Sequence, residues 1–235
     1  MPVIAINVVG FKNSGKTTTS VRLAAALAAR GLSVAGAKFA DCHFDREDSD
    51  TGKLAKVCRV VAGLSPTEAM VIWPRRRYLP DLVPLFECDA LVVEGGKELG
   101  WLPRVMLHRT PEEREALSPE LALAEFGAAG TSREASDEDI ARLAETVMAR
   151  GFSLPGLDCA SCGRPDCRSL AADIVAGKAS PDDCQAMGKE VRIDVNGAPL
   201  ALNPFTATLV SGTIKGLLSG LKGYAPGTVT ITLEG

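Results

Sequence analysis

The stretch Val3–Gly31, VIAINVVGFKNSGKTTTSVRLAAALAARG, constrains the fold more than any other part of the chain. An apolar, β-branched run ends at Gly10, and Gly10-Phe11-Lys12-Asn13-Ser14-Gly15-Lys16-Thr17 follows. The apolar period then changes to that of a helix. This is G-x4-G-K-T between a strand and a helix, the setting of a phosphate-binding loop. Gly10 and Gly15 let the backbone curl so that amides from Asn13 to Thr18 face phosphate oxygens, and the helix start adds its positive end. Lys16 is placed to reach β- and γ-phosphates, and Thr17 to ligate Mg2+.

The rest of the first 150 residues reads as alternating strands and helices. Leu32–Lys38 is a strand, followed by the carboxylate-rich loop Phe39–Lys53, FADCHFDREDSDTGK. Asp45, Asp48 and Asp50 on that loop are candidates for sensing Mg2+ and the γ-phosphate. Leu54–Gly63 reads as a helix and Thr67–Trp73 as a strand. The basic run Arg75-Arg76-Arg77 stands between that strand and a short helix over Leu79–Phe86. Cys88–Gly96, CDALVVEGG, has the pattern of a Walker B strand: an apolar run closed by Glu94 and then by Gly95 and Gly96. Glu94 would hold the Mg2+ water shell or orient an attacking water, and Gly95 would report the γ-phosphate. Both motifs fall at the carboxyl ends of parallel strands, where ligands of such sheets bind. Strands over Pro103–His108 and Leu121–Phe126 complete the sheet, leaving Gly127–Thr131 to approach the base. A helix capped by Ser136 and Asp139 ends near Arg150.

Seven cysteines form the second anomaly. Cys159, Cys162, Cys167 and Cys184 are spaced C-x2-C-x4-C-x16-C after the linker Phe152–Gly156. Beside a phosphate loop this reads as metal ligation rather than a disulfide framework, with either a [4Fe-4S] cluster or zinc as the occupant. Beyond it, Val191–Val195, a turn at Asn196-Gly197, Ala198–Leu202, a helix over Pro204–Leu221 and a strand over Thr228–Leu233 form a ββαβ unit. The expected fold class is therefore α/β: a P-loop NTPase with a mostly parallel, doubly wound sheet, then a small iron–sulfur segment and the α+β unit. The expected domains are residues 1–150, 151–190 and 191–235.

The formal charge of -3 over 235 residues gives no electrostatic case for a nucleic-acid partner. No run of ~20 apolar residues could span a bilayer, and no signal-peptide pattern precedes the first strand. A cytoplasmic protein is expected.

GFKNSGKTT, the acidic loop before Gly52-Lys53, and LVVEGGK followed by RVMLHR resemble the molybdopterin-guanine dinucleotide biosynthesis B family. The resemblance covers roughly residues 1–150. It implies a small GTP-binding protein that works as a homodimer and assists a molybdopterin nucleotidyltransferase or another molybdenum or tungsten enzyme maturation partner. It implies phosphate and Mg2+ roles for Lys16 and Thr17, a match of Asp48-Ser49 to the family's acidic loop, and a Walker B role for Glu94 and Gly95. The chain departs from the family pattern at Phe39-Ala40-Asp41-Cys42 before the single His43, and at the doubled Gly95-Gly96. The segment LPGLDCASCGRPDCRSLAADIVAGKASPDDC is similar to the four-cysteine [4Fe-4S] domain of corrinoid iron–sulfur proteins, which implies a cluster on all four cysteines.

Three functions follow as expectations. The first is a Mg2+-dependent, slowly hydrolysing GTPase, with ATP as the other possible nucleotide, that serves molybdenum or tungsten cofactor maturation and carries a cluster. In it Lys16, Glu94 and Asp48 would act in hydrolysis. The second is a nucleotide-driven metallocentre activator passing electrons from the cluster. The third is a nucleotide-loaded adaptor with negligible turnover.

Overall fold

The computed structural model describes residues 3–127, 135–187, 191, 193–195, 198–199, 204–225 and 229–232. Five strands form one sheet: β1 (Ile4–Gly10), β2 (Val34–Lys38), β5 (Ala90–Glu94), β6 (Arg104–Leu107) and β7 (Ala122–Phe126), in the order β2-β5-β1-β6-β7. Every pairing in it is parallel. β1 is central because IAINVVG has few groups to leave in water, and all its residues after Ile4 are buried. Helix α1 (Lys16–Ala28) covers one face together with α5 (Asp137–Arg150). Their core joins Leu23 and Leu27 to Ile6, Val8, Val92 and Val105, and to Leu143 and Val147. On the other face Val9, Met106 and Leu117 pack together with Phe11.

The cap expected for α5 is present: Ser136 Oγ accepts from the Asp139 amide at 3.1 Å, and Asp139 accepts from the Ser136 amide at 2.9 Å. Within α1, Leu23 and Leu27 face the core, while Val21 and Ala28 face solvent.

The helix expected over Leu54–Gly63 is replaced by two elements. Ser49 caps a short helix α2 (Asp50–Ala55), which starts earlier than expected. Val61–Leu64 is then a strand, β3, antiparallel to β4 (Ala69–Ile72) in a separate two-stranded sheet. The β-branched Val57, Val60 and Val61 favour this outcome, since they lose side-chain freedom in a helix and fit a pleated strand. Short helices α3 (Leu79–Leu82) and α4 (Pro111–Glu115) complete the connections before α5.

Residues 1–184 form one compact unit and 185–235 a second. Among the described residues no distinct iron–sulfur subdomain is present. Instead, Phe152, Leu154 and Leu170 are buried, and Leu154 N–H donates to Trp101 C=O at 3.2 Å. Helix α6 (Cys167–Val175) packs near residues 119–121, where the Arg168 guanidinium donates to Ser118 Oγ at 2.7 Å. Gly156, at φ +65°, lies against the Trp101 ring so closely that a Cβ would stand 2.8 Å from Cδ1. Only glycine combines that backbone with that contact.

In the second unit Asp194–Val195 (β8) pairs antiparallel with Ala198–Pro199 (β9), and α7 spans Pro204–Ser219. The Asn196-Gly197 turn lies outside the described residues. Of the expected final strand, the described residues 229–232 are not in a strand. Leu209, Leu217 and Leu221 are exposed.

Candidate functional site

β1 delivers its carboxyl end to the loop 10–16, and the sheet order sets β5 directly beside it. Asn13 at φ 62° and Gly15 at φ 85° turn the loop back on itself before α1 begins. A Cβ on Gly10 would stand 2.7 Å from Leu107 C=O and also strike Ser14. The curl therefore leaves no room for a side chain there. Ser14 Oγ is buried and has no hydrogen-bond partner among the described residues. The hydroxyls of Thr17 and Thr18 are on exposed residues at the first turn of α1.

Donors from two other elements meet at one oxygen of the sheet edge. Glu94, the last residue of β5, stands opposite Val8 on one side and Lys38 on the other. Its Oε1 accepts the Thr17 hydroxyl at 2.8 Å and the Lys38 ammonium at 2.7 Å. Burial pushes the Glu94 carboxyl up, but the bonds from Lys38 and Thr17 and the charges of Lys38 and Lys16 outweigh it. The net pKa lies below the ordinary glutamate value. Lys16 donates to Phe11 C=O at 2.6 Å. Burial draws its ammonium below the usual lysine value; Glu94 opposes that, while Lys97 and Lys38 reinforce it. Lys97 lies over the Phe11 ring, 3.4 Å from its centroid.

The loop after β5 is fixed from beneath. Asn7 on β1 and Arg104 on β6 are both fully buried and stand opposite each other in register. Asn7 Nδ2 donates to Gly96 C=O at 3.1 Å, and Arg104 donates to the carbonyls of Lys97, Leu99 and Leu117 at 2.5–3.1 Å. Burial lowers the Arg104 pKa to about 10. The doubled glycine has a steric reason: Gly95 and Gly96 have φ of +85° and +63°, and a Cβ on either would press on Phe39.

The structure thus brings together Lys16, Thr17 and Glu94, with Gly10 and Gly95 beside them, and it does not add Asp48. That carboxylate is exposed and pairs with Arg46 at 2.7 Å. Asp45 instead organises the acidic loop, accepting from Thr51 at 2.7 Å and Ser49 at 2.9 Å. Arg76 and Arg77 lie over the rings of Tyr78 and Trp73, 4.9 and 5.3 Å from the centroids. Of the expected base-approaching segment Gly127–Thr131, residues 128–131 lie outside the described residues. Sequence reading missed Asn7, Lys38 and Arg104. Their signal is a polar residue inside, or at the end of, an otherwise apolar strand.

Residues 5–125 match the family model described as "Molybdopterin guanine dinucleotide synthesis protein B". The chain belongs to this family. A curated relative from Methanocaldococcus jannaschii, named "Putative molybdopterin-guanine dinucleotide biosynthesis adapter protein", is 24% identical over 239 residues, 97% of each chain. Among solved structures, the MobB homolog from Bacillus stearothermophilus is 24% identical, with 63% of this chain and all of that one covered and a TM-score of 0.47. MobB from Bacillus subtilis is 26% identical over 57% of this chain and 84% of its own, with a TM-score of 0.46.

Residues 154–186 match a second family model, described as "Putative Fe-S cluster". The expectation of a [4Fe-4S] cluster, or of zinc, on Cys159, Cys162, Cys167 and Cys184 is nevertheless corrected by the structure. Among the described residues no group of three or more His, Cys, Asp or Glu side chains is placed to hold a metal ion. Cys159 is exposed and Cys162 half-buried, while Cys167 and Cys184 are buried. Cys167 Sγ accepts the Asp158 amide at 3.4 Å, and burial raises its thiol pKa. The electron-passing activator, which depends on such a cluster, falls with it. No helix among the described residues is long and apolar enough to cross a membrane.

Proposed function

We propose that this chain is a nucleotide-loaded adapter in molybdopterin guanine dinucleotide biosynthesis, binding a guanine nucleoside triphosphate with Mg2+ and turning it over slowly or not at all. The observation that carries this reading is the convergence of Thr17, Lys38 and Glu94 on one carboxylate oxygen beside the Lys16 loop. The donor set fits a Mg2+–nucleotide: a threonine hydroxyl, a carboxylate held ionised, and a glycine cradle that a Cβ would fill. When bound, Mg2+ would neutralise negative charge on the phosphates.

Lys16 exchanges Phe11 C=O for phosphate oxygens. The backbone from Asn13 to Thr18 wraps the phosphates, and Thr17 and Glu94 hold the ion. A carboxylate with a depressed pKa is a cation holder and a poor proton acceptor, which favours binding over hydrolysis. The family description supports guanine as the base, and the name of the archaeal relative supports the adapter role. The partners belong to the same proposal: a second copy of the chain and a molybdopterin nucleotidyltransferase or related maturation enzyme.

The test is calorimetric titration with GTP and ATP in Mg2+, with phosphate release measured on the same protein. Expected are saturable GTP binding, weaker ATP binding, and turnover no faster than on the order of 10⁻³ s⁻¹. Turnover at the rate of an ordinary enzyme, about 1 s⁻¹ or more, would replace the adapter with a GTPase.

A further inference from the structure

The Lys38 ammonium shares Glu94 Oε1 with the Thr17 hydroxyl, and this pairing is built into the sheet. Lys38 and Glu94 are the last residues of β2 and β5 and stand opposite each other in the parallel register. Thr17 and Glu94 are also the two side chains that a divalent cation uses in a phosphate-loop site. A lysine is therefore held on an oxygen that the ion itself needs. A second ammonium, Lys16, also acts on Glu94, so this one carboxylate faces two cations, while Lys97 adds its charge beside Lys16.

We propose that Lys38 is a built-in counter-cation that competes with the divalent cation for Glu94 and is released when nucleotide loads. The inference rests on the nucleotide-binding reading above. Without nucleotide, Lys38 neutralises Glu94 and keeps β2 tied to β5 at the site. On loading, Lys38 gives up Oε1, and its half-exposed side chain is free to turn toward the terminal phosphate or solvent.

The release has an outlet. Phe39 follows Lys38 directly, donates its amide to Glu94 C=O at 2.9 Å and packs over Gly95 and Gly96. The acidic loop with Asp45 and Asp48 begins just beyond it. Nucleotide state thereby reaches a surface segment that a partner can read, as an adapter requires.

The test compares the full-length wild type, Lys38→Met and Lys38→Arg by fluorescence of an N-methylanthraniloyl-GTP probe titrated with Mg2+. Thermal melting serves as a check on folding. Removing a cation that competes for the same carboxylate should lower the half-maximal Mg2+ concentration about threefold to tenfold in Lys38→Met. Lys38→Arg, which keeps the charge, should return to within about twofold of the wild type. An unchanged or raised midpoint in Lys38→Met overturns the counter-cation role and leaves the nucleotide site standing. A wild type that binds no probe at any Mg2+ concentration overturns the site reading and this inference together.

Discussion

The phosphate-loop edge of the sheet and the cysteine segment hold their polar side chains in opposite ways. At the sheet edge, groups from three separate elements converge on one oxygen: Thr17 from α1, Lys38 from β2 and Glu94 from β5. Between Leu154 and Cys184, polar groups mostly close on near neighbours. Asp158 accepts the Cys167 amide, Asp166 caps its own helix, and Arg164 pairs with Asp173 at 2.7 Å. What reaches from this segment to the rest of its unit is chiefly apolar, Leu154 and Leu170, with Arg168 as a polar strut. A parallel register aligns strand ends whatever their separation in sequence, so it can concentrate charge at one point. A loop-rich segment has no such ruler, and its thiols end up partly in the core and partly in water.

The strongest way to break this contrast is at the converging edge. Lys16→Ala removes the ammonium that donates to Phe11 C=O and that, on the proposed reading, would turn to phosphate. Nucleotide affinity should fall about 100-fold or more, the worth of a charge-assisted contact to phosphate, while the melting temperature stays near the wild-type value. Calorimetry and thermal melting on the same sample read both. Retained affinity would mean that the edge gathers charge without binding phosphate.

A second substitution tests whether the edge depends on what lies beneath it. Arg104 holds three carbonyls from within the core, and methionine fills similar volume without donating to any of them. Leaving buried carbonyls unpaired costs about 1–3 kcal/mol each, so Arg104→Met should lose roughly 3 kcal/mol or more in a denaturant titration. Lysine keeps the charge but lacks the planar fork, and Arg104→Lys should recover only part of the loss. Full stability in Arg104→Met would show that the 96–99 loop is held by Asn7 and its backbone bonds without help from Arg104.

How much of this could be read beforehand follows the same division. The phosphate loop was legible because one strand, one turn and one helix fix it locally, and Glu94 because a carboxylate ends an apolar run before two glycines. Lys38 was not. Its role comes from the register of β2 against β5, 56 residues apart, and a lysine closing a strand looks like any solvated end. Asn7 and Arg104 were visible as polar interruptions, yet nothing local says that they meet across β1 and β6 to grip one loop. The reading of Leu54–Gly63 as a helix failed because β3 is set by pairing with Ala69–Ile72, a non-local term that overrode the apparent periodicity. For the cysteines, spacing fixed where loops could close but not where each Sγ would point. Asp158 at φ 46° and Ala160 at φ 55° flank Cys159 with left-handed turns that spacing does not disclose.

The smallest effect, and the one that sharpens the comparison from the cysteine side, is a difference in thiol reactivity. Cys159 is exposed, and hydrogen bonding with Ser161 lowers its pKa below the usual cysteine value. Cys167 is buried, and desolvation raises its pKa. The thiolate is the reacting form, so Cys159 should alkylate at a pH below that of an ordinary thiol and Cys167 at a pH above it. Iodoacetamide labelling across about pH 6 to 9, with peptide mass spectrometry, reads each site separately. Cys159 should label first at every pH, with Cys167 protected until the fold opens. If all four clustered cysteines proved equally protected in the folded protein, their side chains would be held together as a group. The contrast between a converging sheet edge and a dispersed cysteine segment would then be lost.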